Sequence, residues 1–207
     1  MIRAALFGLA LAGPAAAQST AADILSALEG PTAELEQLMG VLEGPNEEKA
    51  LTAMRLMLAS GDPAMERMAL RAGLTSTSGV ARGVALEAYL AGQPTLTAFA
   101  EAEGEPGTYF ETWLGQVGAV SSENTGVFAI PVGPMIADKN CFGTPSDPTE
   151  CGVRQGGAEV SFYIGRSWGT VRLNENGELV GSISNRANSS TFTGPIALTI
   201  PLLGQLQ

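Results

Sequence analysis

The sequence predicts an α+β protein: a small antiparallel helical array or plain bundle, followed by a disulfide-stapled antiparallel β sandwich or partly open barrel. Three observations carry this. Residues 21–103 are rich in Ala, Leu, Met and Glu, with apolar residues three and four apart, which is helical periodicity. From Thr108 onward Gly, Thr, Ser, Val, Ile and aromatic residues alternate, as half-buried strands require. The only two cysteines, Cys141 and Cys151, lie in this second part with nine residues between them. The organisation expected is residues 1–17 as a signal peptide, 18–103 as a helical region and 104–207 as an antiparallel β domain.

At the N-terminus "MIRAALFGLALAGPAAAQS" has a charge at Arg3, an apolar run to Ala12, a Gly13-Pro14 break, and small residues at Ala15 and Ala17. That order is the pattern of a cleaved secretory signal. The run is far short of the roughly 20 residues of a membrane-crossing helix. The mature chain is expected to begin at Gln18, with no membrane insertion, in the periplasm or outside the cell. Cleavage removes Arg3 from 11 basic and 21 acidic residues, taking the net charge from −10 to −11. Nucleic acid and anionic membrane surfaces both need a basic footprint, so neither is an expected partner.

Four helices are expected next. The first covers 32–42, with Leu35, Leu38, Met39 and Leu42 on one face. Three more carry the tetrads Ala50-Leu51-Thr52-Ala53, Ala69-Leu70-Arg71-Ala72 and Ala85-Leu86-Glu87-Ala88. Their ends are punctuated: Pro45 opens the first, Asp62 caps the second with Pro63 at its first position, and Gly73 or Gly92 closes a segment. The run "MLASGDPAMERMALRAGLTSTSGVARGVALEAYLAGQPTL", with helix, Asp-Pro turn, helix and Arg82 opening the next, resembles a HEAT-type helical repeat over about residues 45–96. The resemblance implies short helices stacked through alanine-leucine seams and a concave protein-binding face. Barely one and a half units are present, at a short period.

The connector "EAEGEPG", 101–107, suits a solvated boundary. Beyond it six to eight short strands are expected. Phe128, Ile130 and Val132 share one face, as do Val160, Phe162 and Ile164; Leu179 and Ile183; and Ile196, Leu198, Ile200 and Leu202, with the opposite faces wet. Asn176-Gly177 marks a hairpin whose turn needs positive φ. No helix is expected between the strands, which excludes parallel pairing through crossovers.

The chain contains no histidine. That removes Ser-His-Asp and Cys-His nucleophiles and histidine-ligated metals. Lys49 and Lys139 have no serine three residues before them, and no phosphate-cradling glycine loop is present, so no cofactor is expected. With two cysteines and no histidine a zinc clip is excluded, and the spacing is not that of a redox Cys-x-x-Cys. A structural disulfide remains, worth roughly 3 kcal/mol for a loop of this length.

Candidate binding residues are few. Asp138, Asp147 and Glu150 crowd the cysteine loop and could offer calcium an oxygen-only site. Trp113, Tyr163 and Trp168, with Tyr109, could present flat faces to a sugar. Trp168 could instead share a buried face with Val171 and Leu173 if a bulge intervenes. Glu111, Glu159, Glu175 and Glu178 add carboxylates without any spacing that pairs them. "NSS" at Asn188 fits a glycosylation acceptor. The function expected is therefore an exported, non-enzymatic protein-interaction or structural module. A carbohydrate-binding module is the alternative, and a carboxylate-based hydrolase the third.

Overall fold

The computed structural model describes residues 33–102, 108–183 and 195–206. Residues 1–17, expected as a signal peptide, most of the connector and Asn188 lie outside them. The chain divides into two units, Met1–Gln37 and Leu38–Gln207. Of the first, only 33–37 are described, and they are helical.

Helix α1 covers 33–42, and Leu38 and Leu42 lie half-buried against the core. Helices α2 (Glu47–Leu58), α3 (Pro63–Leu74) and α4 (Gly79–Ala91) follow on short turns. Each start is fixed by a side chain that accepts from orphan backbone N–H groups: Asn46 from Lys49, Asp62 from Ala64 and Met65, Ser78 from Ala81. Gly92 caps α4 as expected. Gly73 does not close a helix. It lies inside α3, where an added Cβ would collide with Ala85 of α4 and lie 2.9 Å from Met54 Sδ of α2. Its lack of a side chain lets three helices meet.

The expected helical region ends early. Thr95–Ala102 is a strand, β1, with Leu96, Ala98, Ala100 and Ala102 buried and the residues between them exposed. Conversely Thr108–Gln116, expected within the β region, is a helix, α5. The helical and β regions therefore interleave rather than part at 103/104. One set of buried residues runs from Met54 and Leu86 in the helices to Phe162 and Leu198 in the sheet.

The remaining strands are β2 (Val120–Ser122), β3 (Thr125–Pro131), β4 (Met135–Ile136), β5 (Cys141–Phe142), β6 (Val153–Gly156), β7 (Glu159–Ile164), β8 (Ser167–Leu173), β9 (Glu178–Ile183) and β10 (Ile196–Pro201), followed by a 3-10 turn at Leu203–Gln205. All ten strands form one antiparallel sheet in the order β2-β3-β1-β10-β9-β8-β7-β6-β5-β4. The predicted inward faces are buried, from Phe128 and Ile130 through Val160, Phe162 and Ile164 to Ile196, Leu198 and Ile200. Trp168 is not on that face. It alternates with Gly169, Val171 and Leu173 and is exposed.

Two turns fix the register around β8. Ile164 opposes Ser167, so only Gly165 and Arg166 form the turn, with φ of 55° and 67°. Positive φ at both central residues makes a two-residue turn whose twist suits a hairpin. In the expected Asn176-Gly177 turn only Gly177 has positive φ, at 74°. The Asn174 side chain completes it by accepting from the N–H groups of Asn176 and Glu178, each at 3.0 Å.

Helix α5 packs on the inner face of the sheet. Small residues on β1 and β3, Ala100 opposite Gly126, leave a hollow that Leu114 fills; a Cβ on Gly126 would collide with it. Trp113 meets Phe128 of β3 edge to face at 5.4 Å, and a Cβ on Gly165, in the β7–β8 turn, would collide with its indole nitrogen.

Candidate functional site

Cys141 opens β5 and Cys151 lies two residues before β6, joined as a disulfide with Cα atoms 5.6 Å apart. The loop between them is also clipped outside. Lys139 Nζ donates to Thr149 O at 2.7 Å and approaches Glu150 Oε1 at 3.3 Å, while Thr144 and Asp147 exchange backbone hydrogen bonds. Inside, Gly152 donates to Phe142 O and Tyr163 to Gly152 O, which carries the sheet across to β7.

This clipping accounts for the candidate calcium residues. Asp147 Oδ1 accepts from Thr149 Oγ1 and Thr149 N, and these hydrogen bonds hold its carboxyl below the usual carboxylate range. Glu150 is turned to Lys139, and Asp138 is exposed. Among the described residues no group of three or more His, Cys, Asp or Glu side chains gathers to hold a metal ion. The three expected calcium residues thus have separate surroundings: Asp147 Oδ1 accepts from Thr149, Glu150 Oε1 faces Lys139, and Asp138 is exposed. Two of the other candidate carboxylates have separate local partners, with Glu159 on Arg172 at 3.5 Å and Glu178 on Asn174 at 3.1 Å.

The candidate aromatic residues separate. Trp113 is 1 % exposed and serves the core, so its expected sugar-stacking role is corrected; α5 lies on the covered face of the sheet. Tyr109 lies in α5, with its side chain outside the described residues. Tyr163 and Trp168 are 50 % and 38 % exposed and directly opposite each other on β7 and β8, ring centroids 5.4 Å apart and planes tilted by 50°. The Arg154 guanidinium lies over the Trp168 ring, 4.9 Å from its centroid. Sequence reasoning missed Arg154, because only the register of β6, β7 and β8 brings it there. A tight turn at Gly165-Arg166 would have paired Tyr163 with Trp168 from the sequence alone.

A second exposed surface was also missed. Val120 opposes Val127, Val127 opposes Phe99, Phe99 opposes Thr199, and Thr199 opposes Val180. Directly opposed residues share a face, so this is one row across β2, β3, β1, β10 and β9. Its apolar members are 80 %, 39 %, 45 % and 43 % exposed for Val120, Val127, Phe99 and Val180. The outer face expected to be wet thus carries an apolar stripe. The helices expose Leu56 and Val80 singly, on α2 and α4. No helix among the described residues is long and apolar enough to cross a membrane. No protein-family model, curated protein or solved structure matches this chain.

Proposed function

We propose that the protein is an exported, non-enzymatic interaction module that engages a protein partner through the outer face of its sheet. The observation that carries this is the exposed row Val120–Val127–Phe99–Thr199–Val180. Its five strands span about 19 Å at ordinary strand spacing. Contiguous exposed apolar surface of this kind marks contact sites more often than isolated side chains do. The row ends on β2, whose three residues are all exposed and which pairs, among the described residues, with β3 alone, so a partner strand could add at that edge. The formed disulfide suits an oxidising compartment, in keeping with the signal-like N-terminus.

In this reading the stack of α2, α3 and α4 supports the sheet and offers no HEAT-like groove. We read the sheet itself as curled towards a partly open barrel. Trp113 reaches both β3 and the β7–β8 turn, which stand four to five strands apart in the sheet order, roughly 19–24 Å if the sheet were flat. Only a strongly curled sheet brings them to one indole.

Site-specific photocrosslinking in the native envelope fraction tests the function. A crosslinker at Phe99 or Val127 is expected to give one discrete protein adduct, absent with crosslinker at Thr170 of the same face. Adducts from Leu56 and Val80 but not from the row would put the interface on the helices and overturn the reading. So would the absence of any adduct from the row.

A further inference from the structure

We propose that Arg154, Tyr163, Arg166 and Trp168 form a site for a carboxylate-bearing glycan, a chain of uronic acid type. The reading rests on four observations. First, Tyr163 and Trp168 are large, half-exposed and fixed opposite each other beside a two-residue turn, so their rings are held before any ligand arrives. Second, Arg154 lies on Trp168 within cation–π distance. The contact restricts the guanidinium, whose N–H groups make no hydrogen bond among the described residues, so they are available to a carboxylate held by two parallel hydrogen bonds. Third, neither Arg154 nor Arg166 makes an ion pair among the described residues, whereas Arg172 is paired with Glu159. In a chain of net charge −10 this is an island of unneutralised positive charge. Fourth, the neighbouring cross-strand row is Arg154, Ser161, Thr170 and Ser182, hydroxyl-rich and free of carboxylates, with Ser161 and Thr170 oxygens 3.2 Å apart.

The shape of the surface favours a sugar over an acidic peptide. β7 and β8 are paired on both sides, so no edge here is open to strand addition. Tyr163 and Trp168 stand half-exposed on the outer face of the sheet, whereas a peptide anchor side chain is ordinarily buried in a concave pocket. What such a face can hold is a flat ring: the C–H side of a pyranose on Tyr163, with its carboxylate on Arg154 and the next one towards Arg166.

Titration of the purified full-length mature protein with hexagalacturonate tests this, followed by calorimetry and by tryptophan fluorescence. A neutral glucose hexasaccharide and hexaglutamate serve as comparison probes. Trp168 is half-exposed and Trp113 buried, so a fluorescence response that disappears in Trp168→Phe assigns the site. Saturable binding of hexagalacturonate is expected, weakened about tenfold or more by Arg154→Gln and by Tyr163→Ala, unchanged by Arg172→Gln, with melting temperatures preserved. Arg154→Lys, which keeps the charge but not the fork, should weaken it as well. Equal binding of the neutral hexasaccharide would overturn the carboxylate assignment, and equal binding of hexaglutamate the glycan assignment. No binding of hexagalacturonate, or binding indifferent to Arg154, would overturn the site. These outcomes leave the Phe99 row untouched, since none of its residues is altered.

Discussion

Trp113 and Gly165 touch across the inside of the sheet, and their contact sets a measurable coupling. Trp113 is 1 % exposed and among the largest fully buried side chains, so Trp113→Ala is expected to cost about 3–5 kcal/mol. Part of that is offset. The buried indole N–H has no partner among the described residues, and removing it returns roughly 1 kcal/mol or more of desolvation, which puts the net loss near 3 kcal/mol. In a protein of this size that lowers the melting temperature by about 6–12 °C. Gly165→Ala carries two penalties in the parent protein. Its φ of 55° is left-handed and costs an alanine about 1 kcal/mol, and the new Cβ meets the indole, an overpacking penalty of about 1–3 kcal/mol. Only the first penalty survives once Trp113 is gone. The double-mutant cycle should therefore show Gly165→Ala better tolerated in the Trp113→Ala background by about 1–3 kcal/mol. Urea unfolding of the four proteins measures it, through the midpoint at unchanged slope. Penalties that add to within about 0.5 kcal/mol would refute the contact, and with it the curled sheet. A fully stable Trp113→Ala would remove Trp113 from the core altogether.

Two further outcomes follow from single groups. The buried Tyr89 hydroxyl has no partner among the described residues, so Tyr89→Phe should raise stability by about 1 kcal/mol in urea unfolding. Burial also raises the Tyr89 pKa in the folded state. Its contribution is therefore intact below the unfolded value of about 10 and is lost as pH rises through the folded value, a decline that Tyr89→Phe should abolish. The disulfide closes a short loop, and Cys141→Ser with Cys151→Ser should cost about 3 kcal/mol while leaving hexagalacturonate binding intact below the melting transition. Two free thiols titrated in protein taken from an oxidising compartment would contradict the staple.

Much of the fold was legible because it is locally encoded. Asp62-Pro63 caps a helix by its own side chain and ring, and the alternation in 160–164 or 196–200 matches burial because the sheet is covered on one face only. Thr95–Ala102 failed for the opposite reason. Ala98, Ala100 and Ala102 are strong helix formers, and only pairing with β3 and β10 on either side makes them a strand. The period-two spacing of Leu96, Ala98, Ala100 and Ala102 was the available signal. Small residues were chosen there by the approach of α5, a partner distant in sequence. The candidate surfaces were the least legible part. Whether Phe99 lies beside Val127, or Arg154 over Trp168, depends on inter-strand register, which no single strand records. Arg166 was hidden further, since arginine gives no hint of a left-handed turn.

Arg166 separates stability from binding most sharply. A non-glycine residue at φ 67° pays a left-handed penalty of about 1–2 kcal/mol. Glycine at the same place would avoid it but lose about 0.5–1 kcal/mol through the freedom of the unfolded chain, so Arg166→Gly should stabilise the protein by about 0.5–1 kcal/mol. Side chains held against local preference tend to persist where they serve a site. If Arg166 is such a residue, Arg166→Gly should melt higher than the parent yet bind hexagalacturonate more weakly, and added salt should narrow the difference in binding because a surface charge is screened. Calorimetric unfolding and titration of the same preparation read both quantities. A variant that is more stable and binds equally well would remove Arg166 from the glycan site while leaving Arg154 and the aromatic pair in place. A variant that is less stable would mean that the arginine is held in its turn by contacts stronger than the strain it carries.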